Sequence, residues 1–427
     1  MRLKKEEAEV VIVGGGPAGI VAAIAAGRQG VRTVLVERYG FVGGMSTAAM
    51  VYPWMTFHTE SGEQVIRGIA QEIVDRLQAR GGSPGHLRDT VGFVHTVTPY
   101  HSAIYQVVAA DMLQEAGVRL LLHSFVDEVV MVDDRVVAVR LTNKSGRMEL
   151  QAHVIVDTSG DADAAYLAGA SVAKGRDEDN QSQPMTMKFR MRGVDLGRVK
   201  RYMQEHPEDF YAKTPFAELD NIPLTGVSGF YSQWKKSGVP INRDQGLDAT
   251  DAEDLTSAEQ EGRKQVLMIA EFLQRDVPGF ERASISAVAP QIGIRESRRI
   301  IGHYELTKAD VVAGRKFADV IARSGYPIDI HDPSGQGVVA AFIEGDGAYD
   351  IPYRCLISHN IRNLLAAGRC ISTTHEAHAT TRLTPSCMAT GQAAGTAAAL
   401  AVQMKLDPLE LPVAVLQKEL RRNGAEI

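Results

Sequence analysis

The sequence predicts an α/β fold in which a parallel sheet, drawn from both ends of the chain, is interrupted by a mixed second unit. Three observations predict it. Near the start, a β-branched apolar run leads straight into a glycine cluster and a helix of small residues. Near the end, a buried run stopping at a glycine is followed by a second small-residue helix. Between them, residues 175–285 lose that pattern and become polar. Strand and helix signals in alternation call for a parallel sheet covered by helices. At 427 residues the chain exceeds one simple core and fits two domains.

The first element is Glu9-Val10-Val11-Ile12-Val13, a run suited to a buried parallel strand. Gly14-Gly15-Gly16-Pro17-Ala18-Gly19 follows, then a helix through Ile20–Ala26 that ends near Gly30. A second strand, Thr33–Val36, leads into Glu37. In this order the residues make a dinucleotide fingerprint. Gly14 allows a tight turn, Gly16 lets the backbone approach a pyrophosphate, and Gly19 lets helix and strand pack closely. The helix start, with Pro17 and Ala18, offers unpaired N–H groups to that pyrophosphate. Glu37 stands 18 residues after Gly19, where a carboxylate can accept the ribose hydroxyls. An acid there disfavours NADP and leaves FAD and NAD open.

The segment Arg38-Tyr39-Gly40-Phe41-Val42-Gly43-Gly44-Met45-Ser46-Thr47 comes next. Gly43 and Gly44 permit close backbone approach, and Ser46 or Thr47 offers a hydroxyl. Leu120–Val129 and Val136–Val139 read as strands about the Asp133-Asp134 pair. Ala152–Asp157 is a further strand, running into Thr158-Ser159-Gly160-Asp161-Ala162-Asp163. At the far end, Asn363–Ala367 reads as a buried strand stopping at Gly368-Arg369-Cys370. Thr384-Pro385-Ser386-Cys387-Met388-Ala389-Thr390-Gly391-Gln392-Ala393-Ala394-Gly395 then opens a helix reaching about Leu400. Proline and serine suit its first turn.

These motifs together resemble the FAD-dependent oxidoreductase family, over residues 9–50, 118–170 and 285–405. The resemblance implies a Rossmann-like FAD-binding domain of the glutathione-reductase/succinate-dehydrogenase flavoprotein type, with a mixed α+β cap domain. On that reading residues 1–174 and 345–427 form the FAD-binding domain and residues 175–344 the cap. It implies a loop of Arg38, Gly43, Gly44, Met45 and Ser46 beneath the pyrophosphate and flavin. It also implies a β-meander in which Val126 meets adenine through its backbone, and small donors and acids at Ser159, Gly160 and Asp163. Gly368 and Arg369 would lie at the ribityl chain, and the helix start near Cys387 and Met388 at the flavin pyrimidine. Relatives often carry Gly-Asp where this chain has Gly368-Arg369, so no carboxylate–ribityl bond is carried over. No second G-x-G-x-x-G follows a strand elsewhere, which counts against a separate NAD(P)H domain. FAD is expected to be held non-covalently.

Composition narrows the partners. A net charge of -6 argues against nucleic acid, because phosphate binding needs a basic surface. No apolar stretch is long enough to suggest a membrane span. Arg2, Lys4 and Lys5 precede an apolar run, as in a signal peptide, but glycines and a proline interrupt it. Cys355, Cys370 and Cys387 are too few and too spread for disulfides or zinc, and a reducing, cytoplasmic location is the simplest reading. A small-molecule substrate is expected, and a homo-oligomer is left open.

The middle of the chain offers Met185, Met187, Phe189 and Met191, which alternate as in a strand with one buried face. Helices are predicted over Val194–Gln204 and Ala258–Gln274, and the acidic run Asp248–Glu261 reads as solvated surface. Arg295 and Arg298 share a face if their segment is helical; they hold an anionic substrate or pair with Glu296 or the other domain. Tyr326–Asp332 reads as a strand returning to the FAD-binding domain. His375 and His378 lie between the ribityl-facing strand and the flavin-facing helix. Either is an acid/base for the proton that accompanies hydride transfer, or a structural residue. Arg382 is placed to hold an anionic substrate group or to stabilise anionic flavin. The spacing His375-x-x-His378 lacks a clear third metal ligand, so no metal is expected.

The reading is an oxidoreductase exchanging a hydride between flavin N5 and a small anionic organic substrate. A monooxygenase or oxidase, a flavoprotein without net redox, and an RNA-associated or non-catalytic FAD-binding protein are the rivals.

Overall fold

The computed structural model describes residues 3–89, 92–206, 246–331 and 338–427. Strand β1 (Lys4–Glu7) is followed by β2 (Val10–Val13), whose four β-branched residues are all buried. Helix α1 (Pro17–Arg28) starts directly after Gly16 and is buried from Ala18 to Ala26. A helix buried on every side needs small residues, and this one is mostly alanine, glycine, valine and isoleucine. Strand β3 (Thr33–Val36) closes the unit and delivers Glu37. Helices α2 (Ile69–Ala79) and α3 (Ser102–Glu115) pack on the same core.

Strand β4 (Arg119–Leu121) joins the parallel sheet beside β3. The expected meander from Leu120 is therefore corrected: those leucines belong to the main sheet. The meander starts later, with β5 (Phe125–Val132), β6 (Arg135–Asn143) and β7 (Gly146–Gln151), antiparallel in succession, and β1 lies parallel to β7. Asp133-Asp134 forms the turn between β5 and β6, and Asp133 takes a positive φ of 52° there. Strand β8 (Val154–Asp157) returns to the sheet beside β2.

The middle begins with β9 (Phe189–Arg192) and α4 (Leu196–Glu205), then α5 (Ala252–Asp276) and β10 (Ser284–Val288), which pairs antiparallel with β9. Met185, Met187, Phe189 and Met191 are buried in a cluster of their own with the apolar face of α5. The acidic run reaches into α5: Asp251 caps the helix and Asp248 pairs with Lys174. Much of residues 175–285, from 207 to 245, lies outside the described residues.

Arg295 and Arg298 are not on a helix. Arg298 opens β11 (Arg298–Ile300), which pairs antiparallel with Val172–Lys174. Gly293 lies extended against Thr186 just before it, so the segment is held by strand-type bridges. The run from Tyr326 yields β12 (Ile328–His331), which forms a hairpin with β13 (Val338–Ala341) rather than joining the main sheet. Asp332 lies outside the described residues.

Strand β14 (Leu364–Ala366) completes a five-stranded parallel sheet in the order β14-β8-β2-β3-β4. Helices α6 (His375–Thr381), α7 (Thr384–Met404) and α8 (Val413–Arg422) follow. Helix α7 lies against α1 at unusually close range. An added Cβ at Gly391 would come 2.3 Å from the Ala18 carbonyl oxygen, and at Gly395 2.0 Å from that of Ala22. Glycine every fourth residue on α7 thus lets the two N-termini converge at the carboxyl ends of the strands, where open sheets bind ligands. No helix among the described residues is long and apolar enough to cross a membrane.

Candidate active site

A cavity of about 360 Å³ opens at those carboxyl ends. Its first wall is the N-terminal fingerprint: Gly14, Gly16, Pro17, Ala18, Glu37 and Arg38. Gly14 has a φ of 102° and sits so close to Thr158 that a side chain has no room. A Cβ at Gly16 would meet only the Gly44 Cα, at 3.9 Å, so its missing side chain keeps the cavity open. Gly19 does not line the cavity. A Cβ there would fall 1.8 Å from the Gly14 carbonyl oxygen, the close packing its position calls for.

Glu37 is buried, and both its oxygens accept backbone N–H groups, from Gly15 at 2.6 Å and Tyr39 at 2.8 Å. Burial raises its pKa against the pull of these two bonds. Arg38 lies over the Tyr39 ring at 5.0 Å. In the next loop, Gly44 and Met45 line the cavity, and the Gly43 N–H donates to the Gly15 carbonyl at 2.8 Å. Ser46 departs from expectation. It is fully buried away from the cavity, and its hydroxyl accepts the Trp54 indole N–H at 3.1 Å.

The second wall brings Val126 from β5, then Ser159, Gly160 and Asp163 after β8. The Ser159 hydroxyl donates to Asp157 at 2.7 Å and accepts the Asp163 N–H at 2.9 Å, fixing this turn. Burial and the nearby carboxylates Asp161 and Asp157 push Asp163 up to about 6, despite its 2.5 Å ion pair with Arg298. Gly368 and Arg369 also line the cavity. The Arg369 guanidinium turns to Asp161 at 2.6 Å and to the Ile294 carbonyl at 2.7 Å. Leu383, Thr384 and Cys387 bring the start of α7 to the cavity, whereas Met388 is wholly buried in the core. Burial pushes the Cys387 thiol up to about 12, so it is no nucleophile.

The third wall is cationic. Lys188, Arg295 and Arg382 line it, with Thr186, Tyr52, Asp329 and His331. Arg295 donates to Thr186 at 2.6 Å, and Lys188 to the Tyr52 carbonyl at 3.3 Å. Among the described residues Arg382 makes only 3.4 Å contacts with two neutral oxygens, of Gln183 and of the Asp329 carbonyl. Its Nε is buried without a partner, and no carboxylate pairs with it among the described residues. The Tyr52 hydroxyl is likewise buried and unpartnered among them. Arg298 belongs elsewhere, paired with Asp163.

Neither His375 nor His378 is on the cavity wall. The His375 Nδ1–H donates to Glu296 at 2.9 Å, and the same carboxylate oxygen accepts from Arg299 at 2.6 Å. Burial works to raise Glu296, but the bond from His375 and the Arg299 charge hold it down at about 2. His378 is fully buried, with no hydrogen-bond partner for either ring nitrogen among the described residues. Burial pushes it well below the usual histidine range, more than Glu296 lifts it, so it is neutral at pH 7. Both face inward because α6 is a short helix with six of its seven residues buried. The described residues hold no group of side chains placed to bind a metal.

Lys188, Tyr52, Asp329 and His331 were not singled out from sequence. Lys188 and Thr186 carried a signal: they occupy the alternate positions of the run whose other face is Met185, Met187 and Phe189. Asp329 and His331 alternate in the same way on β12.

Among solved structures, the chain resembles a geranylgeranyl bacteriochlorophyll reductase-like protein from Thermoplasma acidophilum. Identity is 11% over 99% of this chain and 85% of that one, with a TM-score of 0.44. It also resembles p-nitrophenol 4-monooxygenase from Pseudomonas putida, at 12% identity over 98% and 82% of the two chains and a TM-score of 0.44. The family described as FAD dependent oxidoreductase matches residues 9–420, nearly the whole chain, and the protein is a member of that family with FAD as its cofactor.

Proposed function

We propose that this FAD dependent oxidoreductase exchanges a hydride with a small anionic organic substrate held against Arg382. The cavity wall fits FAD. Gly16 leaves the space a pyrophosphate needs, and α1 directs its N-terminal N–H groups and positive field there. Gly14, Gly16, Pro17 and Ala18 would hold the pyrophosphate, with Gly44 and Met45 beneath it. Each Glu37 oxygen keeps a lone pair for a ribose hydroxyl, and the Val126 backbone would meet adenine. Ser159, Gly160, Asp163, Gly368 and Arg369 would flank the ribityl chain, and the start of α7 near Cys387 the flavin. Residues 1–174 and 345–427 make up the FAD-binding unit on this reading, and residues 175–344 the cap.

When bound, FAD supplies the acceptor or donor for the hydride. The chain's own task is to bind and orient the substrate. Arg382 carries this reading: a partly buried guanidinium that among the described residues meets only neutral oxygens at long range is suited to an anion from outside. Arg295 and Lys188 add positive charge to the same wall, and Tyr52 offers an O–H donor.

Malonate serves as a probe anion. Titrated into the FAD-loaded protein, it is expected to perturb the flavin absorbance to saturation. R382A is expected to weaken it about tenfold or more, as loss of a charge-assisted bond implies, and R382K to recover part of the loss. Equal affinity in wild type and R382A contradicts the reading.

A further inference from the structure

Of the twelve histidines, all in described segments, His331 alone lines the cavity. It ends β12, and Asp329, two positions earlier, reaches the same cavity. The buried Tyr326 hydroxyl donates to Asp329 Oδ2 at 3.0 Å. His331 Nε2 stands 3.7 Å from that same oxygen. That is too far for a direct hydrogen bond and near enough for the carboxylate to favour the protonated ring. The strand is tied to the anion-holding wall: the His331 N–H donates to Gln183 at 3.2 Å, and Arg382 reaches both Gln183 and the Asp329 carbonyl.

We propose that His331 is the acid/base of the substrate site, with Asp329 as the residue that positions and charge-balances its ring. This rests on reading the cavity as a site for FAD and an anionic substrate. Oxidation of a CH–OH or CH–NH centre breaks a C–H and an O–H or N–H bond and forms the C=O or C=N bond. The C–H electron pair leaves with its hydrogen as the hydride, for which FAD is the acceptor. The remaining proton passes to His331, and in the reductive direction His331 returns it. His375 is committed to Glu296 in the interior and keeps a structural role.

Other charged groups bear on this ring. Lys188, Arg295 and Arg382 share its cavity wall. Of the elements packed on β12, β13 brings no titratable side chain, and α6 brings Glu376 with the interior pair His375 and His378. The short helix Lys308–Val312 brings Lys308, exposed, and Asp310, occupied by Tyr304 and Arg315.

Wild-type, H331Q and D329N proteins, each loaded with FAD, are to be titrated with malonate by calorimetry from pH 6 to 9. Two buffers of different ionisation enthalpy report proton uptake. The wild type is expected to take up a proton on binding above neutral pH, and H331Q to bind malonate without uptake. D329N is expected to keep the uptake with its half-maximal pH moved down, a change a merely structural carboxylate would not cause. Unchanged uptake in H331Q, or a D329N profile identical to wild type, overturns the proposal. Failure of wild type to bind malonate instead overturns the anion-site reading beneath it, and flavin absorbance tells both apart from loss of FAD.

Discussion

At the scale of single residues, Glu296 shows how the interior is held. Its carboxylate accepts from His375, Arg299 and the Gln183 N–H, joining three distant stretches of chain with scarcely any exposure. Removing the charge in E296Q leaves the Arg299 guanidinium buried and uncompensated, a loss of about 3–5 kcal/mol. Because the folded carboxyl lies at about 2 against an ordinary 4.5, its stabilisation is complete above pH 4.5 and lost as pH falls toward 2. The stability gap between wild type and E296Q, measured by urea denaturation, should therefore be widest above pH 4.5 and narrow below it. A gap that widens on acidification would refute the assignment. Tyr52 gives the opposite case. Its buried hydroxyl has no partner among the described residues, so Y52F is expected to leave stability within about 0.5 kcal/mol of wild type or raise it. A loss well above 1 kcal/mol would mean that the hydroxyl has a partner after all.

At the scale of elements, the contact between α1 and α7 aims two helix N-termini at one cavity. G391A would press a methyl group against the Ala18 carbonyl and force the helices apart, costing about 1–3 kcal/mol, and should weaken FAD retention. Denaturation midpoints and flavin content after gel filtration check both, and an unchanged protein would show that the close approach is dispensable. These helices were legible in the sequence because a helix buried all round must be built from small residues. The strands beside them were legible because only β-branched and apolar residues fill a sheet covered on both faces. The reacting side was less so. Sequence placed His375 and His378 near the flavin-facing helix, but proximity along the chain does not say which face of a two-turn helix meets a cavity. Arg295 and Arg298 looked like a helical pair, yet bridges to Thr186 and to Val172–Lys174 draw the segment out straight. His331 escaped notice because its place depends on a hairpin and on alternation with Asp329, neither of which a lone histidine announces.

At the scale of the whole molecule, both ends of the chain and a stretch of its middle close on one cavity, with nucleotide-type loops on two walls and cations on the third. The arrangement makes FAD binding and anion binding separable. G16V should fill the space beside Gly44 and abolish FAD binding, whereas R382A should keep FAD and lose malonate. The flavin itself is the sharpest test of this cavity. Purified protein, with FAD added where needed, is expected to hold it in equimolar amount and to release it intact on acid denaturation, with G16V holding none. Protein that neither carries FAD nor binds it when added, or G16V that binds as wild type does, would mean that this cavity is not the FAD site.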